Sequence, residues 1–381
     1  MLIVEFIQAV GEVVPLASVG YARDAVGMQV CGDENAKLEK VLIAYEVTTA
    51  IIEEAKKIGA NLIVAFHPLI FPNIDRLTNS SRTGKLVRDL IKHDIALYVL
   101  HTAFDASLEF GTSRLMAEVL ELESIEALEG LKNSLNKIVV YAPHLAASEV
   151  REALAKAGAG VIGNYESCTW QVEGRGTFRG TDHSNPAIGE KNLLESVDEV
   201  RIEMVCETWR TSRAVKAMIA AHPYEEVAYD IFTLANGSMN FGMGAVGHWP
   251  EQTSVQEALG RVRAAFGTPM LRHSSTSKQT VKRVAMLGGS GMEYYSAALR
   301  SKADMFITAD IRYHDFYRAT HDNIVLVDAG HAETERFVPQ GMLRAIRKAL
   351  ARARGVVTSG DDHPVSLLAV SHAEPNAVRY F

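Results

Sequence analysis

Three cysteines in 381 residues, Cys31, Cys168 and Cys206, stand far apart and form no C-x-x-C pair. That excludes a zinc knuckle and a disulfide framework, and it fits a reducing, cytoplasmic setting. Cationic excess is also missing: 39 Lys and Arg against 46 Asp and Glu leave a formal charge of −7. A broad nucleic-acid surface needs clustered positive charge to displace counterions, so nucleic acid is not an expected partner. No apolar stretch approaches the ~20 residues of a membrane span, so no membrane partner is expected. The apolar N-terminus lacks a basic leader, and Glu5 and Glu12 interrupt it. Its Ile3, Phe6, Ile7 and Val10 recur at helical spacing, which predicts an amphipathic helix on a core rather than a signal peptide.

What is present is 48% apolar residue content, enough to bury sizeable cores in two or three domains. Val41–Tyr45, Leu62–Phe66 and Ile95–Leu100 read as buried strands, with helical patterns at Thr48–Lys57, Thr83–Lys92 and Gly111–Leu122. The rhythm returns late, with strands Val284–Leu287, Met305–Thr308 and Ile324–Val327 and helices Gly291–Ser301, Tyr313–Thr320 and Glu333–Arg354. Strand alternating with helix implies an α/β domain whose parallel sheet is covered on both faces.

The middle reads differently. Strand Ile138–Ala142, helix Ala146–Gly158, strand Gly160–Trp170, strand Val200–Cys206, helix Ser212–Ala221 and strand Val227–Leu234 follow one another. That β-α-β-β-α-β order is ferredoxin-like, an α+β arrangement. The glycine-rich stretch Asn240–Gly247 then leads the chain back. The expected organisation is a discontinuous α/β domain, residues 1–133 and 244–381, with a ferredoxin-like domain inserted at 134–243.

Candidate chemistry gathers at strand ends, where open α/β sheets present ligands. His67 closes Asn61-Leu-Ile-Val-Ala-Phe-His67, and His101 opens His101-Thr-Ala-Phe-Asp105 at the next strand end. Parallel neighbours lie ~4.8 Å apart, so such ends can share one ion. Asp328-Ala-Gly-His331-Ala-Glu-Thr-Glu335 follows another strand, and residues four apart on a helix share a face. Imidazole and carboxylate without thiolate suit Zn, Fe, Mn, Co or Ni, with Zn, Fe or Mn expected at one or two ions per chain. Asp310 and His314, in Thr308-Ala-Asp310-Ile-Arg-Tyr-His314, could orient a ligand or move a proton, and Asp310 also suits a helix cap. Gly288-Gly-Ser-Gly291 lacks the Lys-Ser/Thr ending of a P-loop and reads as a tight turn.

With these residues the chain resembles the Nif-three-like family, the GTP cyclohydrolase I type 2 homologues, across essentially its whole length. The matching pieces are His67-Pro-Leu-Ile-Phe71, His101-Thr-Ala-Phe-Asp105, Gly288-Gly-Ser-Gly291, Thr308-Ala-Asp310 with Tyr313-His-Asp315, and Gly330-His-Ala-Glu-Thr-Glu335. The middle resembles the family's long form, with a PII/CutA-like inserted domain, through Gly158-Ala-Gly-Val-Ile-Gly-Asn-Tyr165, Gly174-Arg-Gly-Thr-Phe178 and His222-Pro-Tyr-Glu-Glu226. The resemblance implies a two-metal site in a cleft and a ring-shaped homohexamer, a trimer of dimers. By motif, His67 and His331 would hold one metal, Asp105 would help hold the other, and Glu335 would serve both. His101 belongs to the same motif and, with Asp310 and His314, is a catalytic candidate. The chain departs from the family at Phe66, where a histidine is usual, at Ala309, at Glu46 and across Tyr21-Ala-Arg-Asp-Ala-Val-Gly27. Phenylalanine cannot ligate, so the metal shared with Asp105 loses a nitrogen donor.

The implied function is a metal-dependent hydrolase or cyclohydrolase acting on a nucleotide-like small molecule. The alternative is a non-catalytic metal-carrying or regulatory protein whose inserted domain senses a ligand.

Overall fold

A computed structural model describes residues 1–18, 24–354, 367–373 and 377–378; Tyr21–Arg23 of the divergent N-terminal segment lie outside them. The chain divides into two units, Met1–Glu129 with Phe241–Phe381, and Gly130–Asn240. In the first unit α1 (Ile3–Val13) buries Ile3, Phe6, Val10 and Val13, the stripe set by their spacing. There follow β1 (Gly27–Val30), β2 (Val41–Ala44), α2 (Thr49–Ile58), β3 (Leu62–Ala65), α3 (Arg82–Lys92) and β4 (Ala96–Val99). A short α4 (His101–Asp105), α5 (Thr112–Val119) and β5 (Glu123–Gly130) complete this half. Local chemistry bounds α2: the Thr48 side chain accepts from the Ile51 amide at its start. At its end Gly59, with φ 73°, takes the left-handed turn that favours glycine.

The second unit runs β6 (Leu135–Pro143), α6 (His144–Lys156), β7 (Trp170–Arg179), β8 (Leu194–Glu207), α7 (Thr208–Ala221) and β9 (Tyr229–Thr233). Its four strands are antiparallel in the order β7-β8-β6-β9. Ile138, Val140, Ile202 and Met204 pack under Val150, Leu154, Ala214 and Met218 of the two helices. This is the β-α-β-β-α-β arrangement of a ferredoxin-like sheet.

Back in the first unit come β10 (Gly242–Ser254), α8 (Val255–Phe266), β11 (Arg272–His273), β12 (Thr280–Ser290), α9 (Tyr295–Arg300) and β13 (Met305–Ala309). The last elements are α10 (Tyr313–His321), β14 (Val325–Asp328), α11 (His331–Glu335), α12 (Val338–Ala353) and β15 (Leu368–Val370). Two sheets result. One has the order β1-β4-β3-β2-β15, parallel except for β1. The other has the order β11-β14-β13-β12-β10-β5, with β12, β13 and β14 parallel. Both are covered on two faces. In the first sheet Ile43, Val64 and Phe66 pack with Phe6 and Ile346, while Leu42, Ile63 and Leu97 pack with Ile52 and Leu90. In the second, Met286, Ile307 and Val327 meet Met116 and Phe266, while Ala285, Phe306 and Leu326 meet Ala298 and Ala319. The chain is an α/β protein. Among the described residues no helix is long and apolar enough to cross a membrane.

Three elements differ from the sequence reading. Residues 160–169 are not a strand: Gly160, Gly163 and Ser167 have positive φ, which breaks extended pairing, and β7 begins only at Trp170. The single helix expected at Glu333–Arg354 is two, because Pro339 fits only in a first turn and α12 restarts around it. Most of the glycine-rich return, Asn240–Gly247, is the start of β10, with Gly244 at φ 68° against the Met286 carbonyl.

Candidate metal centre

The first sheet aligns three strand ends. The Phe66 amide donates to Ala44 O, the His67 amide to Tyr45 O, and the His101 amide to Phe66 O. These bonds continue the parallel ladder one step beyond the strands, setting Tyr45, His67 and His101 side by side. The second sheet delivers its donors through α11. Gly330, with φ 87°, turns the chain out of β14, and His331 and Glu335 follow on one helical face.

The two groups meet on one oxygen. Glu335 Oε2 lies 3.5 Å from His67 Nε2 and 3.2 Å from His331 Nε2. Ligand atoms of these three residues all fall within 4.8 Å of one another, and among the described residues they are the His, Cys, Asp and Glu side chains that form such a group. Glu335 is buried, and Tyr45 Oη donates to its Oε2 at 2.6 Å. Beneath it Gly289, at φ 63°, leaves a space that a Cβ would fill, 2.3 Å from Glu335 Oε1 and 3.1 Å from His331 Nε2.

The far side of each imidazole faces a carboxylate. Asp310 Oδ2 is 2.7 Å from His331 Nδ1. Glu46 Oε2 is 3.3 Å from His67 Nδ1, which is buried and, among the described residues, has no partner in hydrogen-bond geometry. His101 Nδ1 meets Asp24 Oδ1 at 3.0 Å. Carboxylates behind metal-facing imidazoles fix the tautomer and raise the basicity of the free nitrogen. The donor set, two imidazole nitrogens and a carboxylate with no thiolate, fits a borderline or hard divalent cation.

Electrostatics follow the same plan. The Glu335 hydrogen bond holds the His331 imidazole up at about 9, against the opposing effect of burial. Burial pushes the Glu46 carboxyl up, but His67 and Arg82 more than offset it and hold it below its ordinary value. Burial also disfavours a charged His101, yet Asp24, Asp105 and Glu335 outweigh that and raise it. Burial first, and then the charge of Glu335, push Asp105 up to about 7.

The other residues singled out in the sequence are distributed around this group. Asp105 stays outside the three-donor cluster, with Oδ1 taken by the Thr112 hydroxyl. The His101 ring is 5.5 Å from that of His67. Asp310 lies behind His331 rather than in the cluster. His314 is exposed in the first turn of α10, against Tyr313. Phe66 is fully buried among Tyr45, His67, His101 and Phe104. Sequence reasoning missed Tyr45 and Asp24 as parts of the site. Tyr45 carried a signal, since it ends a strand beside His67; Asp24 carried none, because its partner is remote.

The comparisons agree with this architecture. The family model described as Duf34/NIF3 (NGG1p interacting factor 3) matches residues 1–364. A protein of Halalkalibacterium halodurans named GTP cyclohydrolase 1 type 2 homolog is 39% identical over 320 residues, 84% of this chain and 86% of that one. The Bacillus subtilis protein of the same name is 36% identical over 324 residues, 85% of this chain and 86% of that one. The crystal structure of a Bacillus cereus protein related to NIF3 superimposes with a TM-score of 0.84 at 32% identity, covering 100% of this chain and 99% of the other. This chain belongs to the Duf34/NIF3 family.

Proposed function

We propose that the chain binds a divalent cation, Zn, Fe or Mn, between His67 Nε2, His331 Nε2 and the Glu335 carboxylate, and acts as a metal-dependent hydrolase on a nucleotide-like small molecule. The observation that carries the reading is the convergence of both Nε2 atoms on Glu335 Oε2, with Asp310 and Glu46 behind the opposite ring nitrogens. A bound ion would supply Lewis-acid polarisation of a substrate oxygen and lower the pKa of a coordinated water to ~7. The chain's own residues do the rest. Asp310 orients His331. Asp105, held at about 7, can take or release a proton near neutrality, and His101, backed by Asp24, can do the same at the next strand end. The nucleotide-like substrate class rests on the relatives' name alone. Phe66 favours a second reading, a metal-carrying or regulatory protein, because a fully buried ring at a strand end contributes no donor.

Wild type should retain roughly one ion per chain after dialysis, and His331→Ala and Glu335→Ala should each lose it while keeping the far-ultraviolet spectrum. Elemental analysis that finds unchanged stoichiometry in both variants overturns the site. Turnover of nucleoside triphosphates by wild type but not by His331→Ala separates hydrolase from carrier. We further propose a homohexamer, a trimer of dimers, since combined two-fold and three-fold contacts close at six. A strictly monomeric mass by light scattering at micromolar concentration contradicts it.

A further inference from the structure

Three side-chain atoms converge on Glu335 Oε2. Two are the imidazole nitrogens, which an ion would draw away from it. The third is the Tyr45 hydroxyl, at 2.6 Å. Its ring is fixed from two sides, stacked on Phe66 at 6.0 Å and 15° and edge-on to His67 at 4.6 Å and 62°. Phe66 is itself braced by Phe104 at 6.2 Å. The phenol oxygen is thus held beside the carboxylate oxygen on which both imidazole nitrogens converge. Donors ~2.1 Å from a shared ion lie roughly 3.0–3.4 Å apart, and the three contacts to Oε2 bracket that spacing.

Resting on the metal-centre reading above, we propose that Tyr45 is a fourth protein ligand, its phenolate oxygen joining His67, His331 and Glu335 on one ion. The proton that now bridges Tyr45 and Glu335 leaves to solvent when the ion enters. Phe66 then has a task of its own: it supplies no donor but orients the ring that does. Four protein donors would close the coordination of tetrahedral Zn, whereas Fe or Mn, which take more ligands, would keep positions open for a substrate.

The test is a titration of metal-free protein with zinc at near-neutral pH, well below the ordinary phenol pKa of ~10. The ultraviolet difference spectrum of tyrosine ionisation is followed, and bound zinc is counted by elemental analysis. Wild type should show about one phenolate for each zinc bound. Tyr45→Phe should still bind zinc, roughly 10–100-fold more weakly, with no phenolate signal. Weaker binding alone does not decide the matter, because a hydrogen bond to Glu335 would also be lost; the spectrum does. Zinc bound without phenolate in wild type, or a phenolate signal that persists in Tyr45→Phe, overturns Tyr45 as a ligand and leaves the metal centre standing. Failure of wild type to bind zinc overturns the centre, and this inference with it.

Discussion

Gly289 and Asp310 carry the sharpest residue-scale expectations, because both act on the proposed ligands without being among them. An alanine at 289 would adopt left-handed φ at a cost of about 1–2 kcal/mol. Its methyl would also sit 2.3 Å from Glu335 Oε1. Gly289→Ala should therefore lower both unfolding stability and zinc affinity, read by urea denaturation and metal titration. Wild-type affinity in that variant would show that the glycine is only a turn. Asp310→Asn should weaken metal binding roughly 10–100-fold, by relaxing the His331 ring, with little change in stability. Its side chain is 53% exposed, so no core depends on it. His67, His331 and Glu335 are legible as candidate donors because their residue types and strand-end positions are local properties. Tyr45 and Asp24 are not, since a phenol beside Glu335 and a carboxylate beside His101 depend on which strand ends become neighbours.

Among the elements, the turn after α7 is tied by His222, whose Nε2–H donates to Tyr141 O at 3.0 Å while Nδ1 accepts from the Tyr224 amide at 3.1 Å. Only the neutral ring can do both, and burial holds its pKa below the ordinary value. A histidine depressed on folding binds fewer protons in the native state than in the unfolded one. Its contribution is complete above about 6.5 and is lost as pH falls through the lower folded value. The wild-type melting temperature should decline across that interval, and His222→Gln, with no proton to take up, should decline less steeply. Parallel slopes would assign the acid sensitivity elsewhere. Elements with strong periodicity, such as β2, β3, β13 and α10, are readable in the sequence to within a residue or two. The loop at 160–169 and the break between α11 and α12 are harder, because a few positive-φ residues and one proline outweigh patterns of apolar residues that suit a continuous element.

For the whole molecule, β5 and β10 are neighbours in the second sheet, so the first unit loses its chain at Gly130 and regains it at Phe241 on adjacent strands. Joining Gly130 to Phe241 through a short Gly/Ser linker should yield a folded, metal-binding protein, checked by circular dichroism and zinc titration. An insoluble or metal-free product would mean that residues 130–240 complete a core the first unit needs. The alternation of strand and helix made the α/β class legible, but not its division into two sheets. That division depends on edge strands β1, β5, β11 and β15, and on β10 beside β5, which are short, half-exposed or rich in glycine and leave little trace in hydropathy.

The proposed donors stand far apart in the sequence, His67 after the first sheet's third strand and His331 with Glu335 beyond the second sheet's β14. A ribosome makes the first sheet's histidine long before its partners. The proposed ion would therefore have no complete seat until the chain has been extended through Glu335. Metal capture would then test that extension: a chain released before Glu335 would remain empty however well its first sheet had folded. In a chain cut later within a connecting loop, the ion would act as a rivet between the two fragments.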